Sequence, residues 1–150
     1  ANTSRLAEGA RALGLPVVWL EHNPDKLGAT VPELQPQQAG ALVLPKFSFG
    51  ALGEPTVAAA LAGTGVSHWL VCGIEAHICV YQSVLGLLAS GARVSLVVDA
   101  TSSRTAANRD LAISQLAARG ASLTSVEMCL FDLMGDCRHP AFRQILALVK

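Results

Sequence analysis

The sequence has little charge and few aromatic side chains. Charged residues make up 15% of its 150 residues and aromatic residues 5%, whereas 51% of the residues are hydrophobic. Eleven basic residues balance eleven acidic ones, so no basic excess is available to attract nucleic acid or an anionic membrane surface. Such an apolar composition is typical of helices buried on most sides or of subunit contacts, and we expect a homo-oligomer.

Long apolar runs and paired cysteine spacings are also absent. No apolar run reaches the roughly 18 residues of a membrane-spanning helix, so no membrane partner is expected. The sequence contains four cysteines, none of them in a CxxC pair: Cys72, Cys79, Cys129 and Cys137. Because a chain of this length folds without disulfides, we predict free thiols in a reducing compartment. The cytoplasm is the default location, with an organelle as the alternative.

Short apolar runs alternate with stretches that favour helices. Strands are predicted at 17–21, 41–44, 68–72, 93–99 and 122–126, and helices at 4–13, 54–62, 77–90, 105–119 and beyond 126. Continuously apolar strands are typical of a parallel sheet that is covered on both faces. With right-handed crossovers, this predicts an α/β fold: a doubly wound parallel sheet in a Rossmann-like three-layer sandwich. Residues 1–150 are expected to form a single domain, with a site at the carboxyl ends of the strands.

Cys79 is the strongest candidate for chemistry. It is predicted in the first turn of a helix that follows a buried strand. Free backbone N–H groups and the helix dipole favour a thiolate there, and the same amides can receive an oxyanion. The alternative is a small buried residue, as most cysteines are. His77 precedes Cys79 by two residues and points in another direction, so it is a poor general base for the thiol.

Three other residues end or closely follow predicted strands. Lys46 stands beside Phe47, and a lysine in apolar company is costly to bury unless it meets an anion; alternatively it extends to water. Asp99 could act as an acid or base, but capping of the following turn or helix is the favoured interpretation. His22 either lines a pocket or lies in a solvated loop.

Taken together, these segments resemble the isochorismatase-like cysteine hydrolases, above all the isochorismatase domain-containing proteins. The resemblance rests on GIEAHICVYQ at 73–82, K-x-S-F at 46–49 and D-A-x-S-S-R at 99–104. The stretches EHNP at 21–24 and LG-x-TVPEL at 27–34 fit as well. The segments follow one another in the right order and spacing over nearly the whole chain.

The resemblance implies a catalytic triad of Asp, Lys and Cys, in which Lys46 and Cys79 are two members. It also implies a cis peptide bond between Ile74 and Glu75, and an oxyanion hole formed by the backbone amides of Glu75 and Cys79. In the family the Asp ends a strand that precedes the first helix. We therefore expect this strand and its Asp to lie upstream of Ala1, which would leave a gap in the middle of the sheet formed by these 150 residues.

The expected activity is hydrolysis of an amide or related C–N bond in a small molecule, through a thioester on Cys79. Relatives that hold a metal do so through an Asp-x-His pattern, where this chain has Glu21, His22 and Asn23. No metal and no cofactor are therefore expected. A pocket suited to a small, flat substrate is predicted from four side chains: His22, Phe47, Phe49 and Tyr81.

Two other functions are compatible with the sequence. A catalytically silent binding or scaffold protein would keep the fold and use the apolar surface for subunit contacts. A thiol redox sensor would need a resolving partner for Cys79. Cys72 is predicted to point into the core from its strand, which makes the redox function the least favoured.

Overall fold

The computed structural model describes all residues from Ala1 to Lys150. The helices are α1 (Asn2–Ala12), α2 (Pro24–Leu27), α3 (Pro55–Gly63), α4 (Tyr81–Ala89), α5 (Ala106–Ala118), α6 (Val126–Met134) and α7 (Phe142–Val149). The strands are β1 (Val18–His22), β2 (Leu42–Lys46), β3 (His68–Gly73), β4 (Arg93–Thr101) and β5 (Ser122–Thr124). A π-helical turn, Ala76–Val80, runs directly into α4, and 3-10 turns lie at Gln35–Gln38 and Ala51–Gly53. No helix has both the length and the apolar character needed to cross a bilayer.

All strand pairs are parallel, as predicted. β1 pairs with β2, and β4 lies between β3 and β5 in a second, three-stranded sheet. No backbone ladder joins β1 to β3. The strands therefore form two separate ladders, one of β1 and β2 and one of β3, β4 and β5.

Apolar cores cover both faces of the strands. One core packs α3, α4 and α5 against the sheet and contains the fully buried Val84 and Leu116. The other packs α1, α6 and α7 and contains the fully buried Leu130. Successive residues of β4 point to opposite faces, so Leu96 joins the first core and Val97 the second. Helices on both faces of a parallel sheet confirm the predicted three-layer α/β fold.

All five strands end one or two residues away from their predicted bounds, and the ends of β5 and β2 have clear causes. β5 stops at Thr124 rather than 126, because Ser125 caps α6 by accepting the N–H of Met128 at 3.2 Å. β2 extends to Lys46 rather than ending at 44, since its last residue still pairs with His22 of β1. Lys46 is therefore part of the strand and not of the loop that follows.

Candidate active site

Cys79 lies in the helical turn that follows β3. The turn starts at Ala76 and continues into α4, so Cys79 occupies the start of a helical segment, as predicted. The N–H groups of Ile78 and Val80 both donate to the carbonyl oxygen of Glu75, at 3.1 and 3.2 Å. Cys79 itself is partly exposed and forms no disulfide. Cys79 therefore lies, partly exposed, at the beginning of a helical segment.

The end of β4 fixes the entry to this turn. Gly73, the last residue of β3, has a φ of 123°, a conformation that favours glycine where the chain leaves a strand sharply. The N–H of Ala76 donates to the carbonyl of Ser102 at 2.8 Å, and the N–H of Ser102 donates to Gly73 at 3.1 Å. The Ile74–Glu75 peptide bond is cis. The N–H of Glu75 donates to no acceptor within the chain.

Lys46 is buried, with only 3% of its surface exposed, and it does not extend to water. Its ammonium donates to the carbonyl oxygens of Ser48 at 2.9 Å and Phe49 at 2.8 Å. A third contact, of 3.4 Å, joins Nζ to Nδ1 of His22. None of these partners carries a negative charge, and no carboxylate lies within ion-pair distance. The chain thus buries a cation in a shell of neutral acceptors.

The structure brings part of the predicted pocket together. The ring of His22 lies 5.3 Å from that of Phe49, beside the Lys46 ammonium. Phe47 is 61% exposed on the same loop. Tyr81 instead faces the end of α5, and the guanidinium of Arg119, the residue after that helix, lies 5.8 Å from its ring centroid. Nowhere in the chain do three or more His, Cys, Asp or Glu side chains gather closely enough to hold a metal ion.

A polar cluster beside the cysteine turn was not predicted. Oε2 of Glu75 accepts a hydrogen bond from Nε of Arg104 at 3.0 Å and lies 3.6 Å from Nδ1 of His77. The same His77 nitrogen lies 3.0 Å from Oγ of Ser103. His77 is thus held by residues that follow β4. Ser103 lies 26 residues after His77 and Arg104 lies 29 residues after Glu75, so no local pattern could reveal the cluster.

Asp99 does not join this site. Its Oδ1 accepts the N–H of Val126 at 2.9 Å, at the start of α6, and Asn2 donates to its Oδ2 at 3.1 Å. Asp99 therefore caps a helix, but not the helix that follows it in sequence. That helix, α5, is capped by Thr105, whose hydroxyl accepts the N–H of Asn108. The favoured capping role of Asp99 is confirmed. The helix expected to be capped was wrong, because packing places α6 next to the end of β4.

The isochorismatase domain family model matches residues 1–128. The chain belongs to the isochorismatase family. It is 42% identical over 147 residues to isochorismatase domain-containing protein 1 of Salmo salar, a match that covers 97% of this chain. The match covers 51% of the salmon protein, so the chain spans about half the length of that relative.

Solved structures of family proteins share the fold. MAR1 ribonuclease from Caenorhabditis elegans is 34% identical, with a TM-score of 0.88, over 99% of this chain and 76% of the nematode chain. YcaC from Pseudomonas aeruginosa, determined with hexane-2,5-diol and covalent acrylamide, is 27% identical, with a TM-score of 0.91. That similarity covers 98% of this chain and 75% of the YcaC chain. The chain thus has the fold of the isochorismatase-family hydrolases.

Proposed function

We propose that this chain belongs to a cysteine hydrolase that cleaves an amide or a related C–N bond in a small molecule. Cys79 is the nucleophile, and Lys46 is its charged partner. The observation that carries the proposal is the burial of the Lys46 ammonium, 3% exposed, among neutral acceptors only. A buried cation without a counter-ion is costly, and an anion that forms beside it offsets the cost. A thiolate in a catalytic site is such an anion.

In the proposed reaction, a general base takes the proton of Cys79 as Sγ attacks the carbonyl carbon of the substrate. The oxyanion that forms is received by the N–H groups of Glu75 and Cys79. The C–N bond then breaks, the base returns its proton to the departing amine, and a thioester remains on Cys79. Water, deprotonated by the same base, hydrolyses the thioester and restores the thiol. We propose that the base is a carboxylate, the Asp that the resemblance implies for the triad, and the test uses the full-length protein.

The surroundings of Lys46 favour a small, flat substrate. The rings of His22 and Phe49 lie next to one another at the ammonium. Acrylamide is a small planar amide and a general alkylating agent for nucleophiles such as thiolates, and it is covalently bound in the YcaC structure. We propose the same reactivity for Cys79, which makes acrylamide a suitable first probe.

The test compares two cysteines of one sample. The full-length protein is treated with acrylamide, and labelling is followed by peptide mass spectrometry. Cys79 should be labelled faster than Cys137, an exposed thiol that serves as the reference. A panel of small amides then tests for ammonia or amine release, which Cys79→Ala should abolish. Either labelling of Cys79 no faster than that of Cys137, or amine release that survives in Cys79→Ala, would sink the proposal.

The same full-length protein and its Cys79→Ala variant distinguish two alternative functions. The nematode relative is named a ribonuclease, whereas the zero net charge of this chain offers little attraction to a phosphate backbone. Degradation of a labelled RNA that Cys79→Ala abolishes would replace the small-molecule substrate by RNA. A folded protein with an unreactive Cys79 and no turnover would instead favour a binding or scaffold role.

We also propose a homo-oligomer in a reducing compartment. Large apolar side chains are exposed in the single chain, among them Ile74 at 72%, Leu27 at 70% and Met128 at 63%. Light scattering of the purified full-length protein should give more than one protomer, and a monomer at all concentrations would contradict this. All four cysteines are free thiols, which fits the cytoplasm, and imaging of the tagged full-length protein checks that location.

A further inference from the structure

One hydrogen bond connects the two halves of the candidate site. Residues 16–54 contain β1, β2 and Lys46, and residues 66–150 contain the second sheet and Cys79. No strand ladder joins these segments. The N–H of Ala51 donates to Oγ of Ser83 at 2.9 Å, and no other hydrogen bond links the two segments.

Both partners of this bond are buried. Ser83 is 8% exposed and lies on α4, four residues after Cys79, while Ala51 is 2% exposed. The loop backbone approaches α4 closely beside the bond: a Cβ atom at Gly50 would lie 3.2 Å from Cβ of Gln82 and 3.3 Å from its carbonyl oxygen. The loop is thus packed directly against the helix of the cysteine.

The same loop holds the Lys46 ammonium. Lys46 donates to the carbonyls of Ser48 and Phe49, and the hydroxyl of Ser48 donates to the carbonyl of Gly50 at 2.8 Å. A continuous set of contacts therefore runs from the ammonium, through residues 48–51, to Ser83. A shift of this loop on α4 would move the ammonium relative to Cys79.

We infer that Ser83 is a positioning residue of the catalytic site. Its hydroxyl anchors residues 46–51 to α4 and so sets the place of the Lys46 ammonium beside the Cys79 thiolate, an inference that rests on the proposed function. Without the hydroxyl, the buried N–H of Ala51 has no acceptor, and the loop must move to find one. The attraction between ammonium and thiolate weakens as their separation grows.

The experiment measures the rate of acrylamide labelling of Cys79 against pH in the full-length protein, with Cys137 as the reference in each sample. For Ser83→Ala we expect labelling of Cys79 at neutral pH to fall roughly 3- to 10-fold, with the rate curve shifted to higher pH. Labelling of Cys137 should not change. Ser95→Ala is the matched control. Ser95 is also 8% exposed, and its hydroxyl lies 2.9 Å from His68 at the start of β3, the opposite end of the strand from the cysteine turn.

A second variant perturbs the same contact without removing Ser83. Gly50 has φ −78° and ψ 139°, which alanine adopts freely, so Gly50→Ala is unstrained but pushes the loop away from Gln82. Gly50→Ala should also shift the curve of Cys79 labelling rate against pH to higher pH. It tests the inference on its own if Ser83→Ala does not fold.

Three results would overturn the inference. In the first, the curves of Ser83→Ala and Gly50→Ala coincide with the wild-type curve. In the second, Ser95→Ala slows Cys79 as much as Ser83→Ala, which would show a general loss of stability instead of positioning. In the third, wild-type Cys79 is no more reactive than Cys137, which removes the proposed function itself and is recognised from the wild-type curve alone.

Discussion

Nζ of Lys46 lies 3.4 Å from Nδ1 of His22, its partner in the parallel pairing of β1 and β2. Both strands end at this pair, so the two side chains leave the sheet at the same edge. An ammonium only donates hydrogen bonds, so Nδ1 of a neutral His22 acts as acceptor and the ring proton resides on Nε2. The Nε2–H group is then free to donate to an oxygen atom of a substrate.

The tautomer of His22 is the first prediction. At neutral pH we expect the Nε2–H form, visible in the ¹⁵N chemical shifts and ring correlations of a ¹⁵N-histidine-labelled sample. Lys46→Met removes the donor, so His22 should no longer prefer the Nε2–H form. A wild-type ring with its proton on Nδ1 would contradict the assignment.

Substitution of Lys46 should separate stability from reactivity. Lys46→Met keeps the length of the side chain and removes a buried charge, while the carbonyls of Ser48 and Phe49 lose a donor. Since these effects oppose one another, we expect the free energy of unfolding to change by no more than about 1 kcal/mol. Acrylamide labelling of Cys79 should nevertheless slow markedly. Urea unfolding and mass spectrometry measure the two properties, and an unchanged labelling rate would argue against a partnership with Cys79.

Glu21 should stabilise the loop after β1 in a pH-dependent way. Hydrogen bonds from the backbone and the hydroxyl of Thr30, and from Gln38, lower the pKa of this carboxyl below 4.5, although partial burial opposes the shift. A depressed pKa in the folded state adds stability above the unfolded value, and this is lost as pH falls through the folded value. Glu21→Gln should therefore cost about 1 kcal/mol at neutral pH and less in acid, measured by urea unfolding.

Glu33→Gln is the control for that experiment. Glu33 lies in the same loop, exposed, and takes part in no hydrogen bond or ion pair. It should leave the unfolding free energy unchanged across the same pH range. If Glu33→Gln lowered the free energy of unfolding as much as Glu21→Gln, the effect would come from net charge and not from the hydrogen bonds with Thr30.

Alkaline conditions should destabilise the protein through two thiols. Burial, with the negative charges nearby as smaller contributions, raises the pKa of Cys72 and Cys129 to about 11. The folded state therefore keeps protons that the unfolded state loses. As pH rises from about 9 towards 11, the free energy of unfolding should fall by at most about 1.4 kcal/mol per pH unit for each thiol. Cys129→Ala should reduce this slope, whereas Cys137→Ala, at an exposed position, should not.

Much of the fold was predictable because its signals are local. The apolar run from His68 onward becomes β3, and Gly91 and Gly120 follow the helices α4 and α5 with positive φ, as glycines beyond a helix end do. The exception was β5, where the apolar Val126 suggested a strand residue. It starts α6 instead, because the side chains of Ser125 and Asp99 satisfy the first N–H groups of that helix.

The sequence by itself determined the order of the strands and helices, the parallel sheet and the candidate residues Lys46 and Cys79, since run lengths, glycines and residue types suffice for these. Only the tertiary structure decided that Lys46 is buried among carbonyls, that Asp99 caps α6 and that Ser83 receives the N–H of Ala51. The last two contacts join residues 27 and 32 positions apart, and the burial of Lys46 depends on how its loop packs against other elements. Such contacts arise only when distant elements pack, and no local pattern in the chain encodes them.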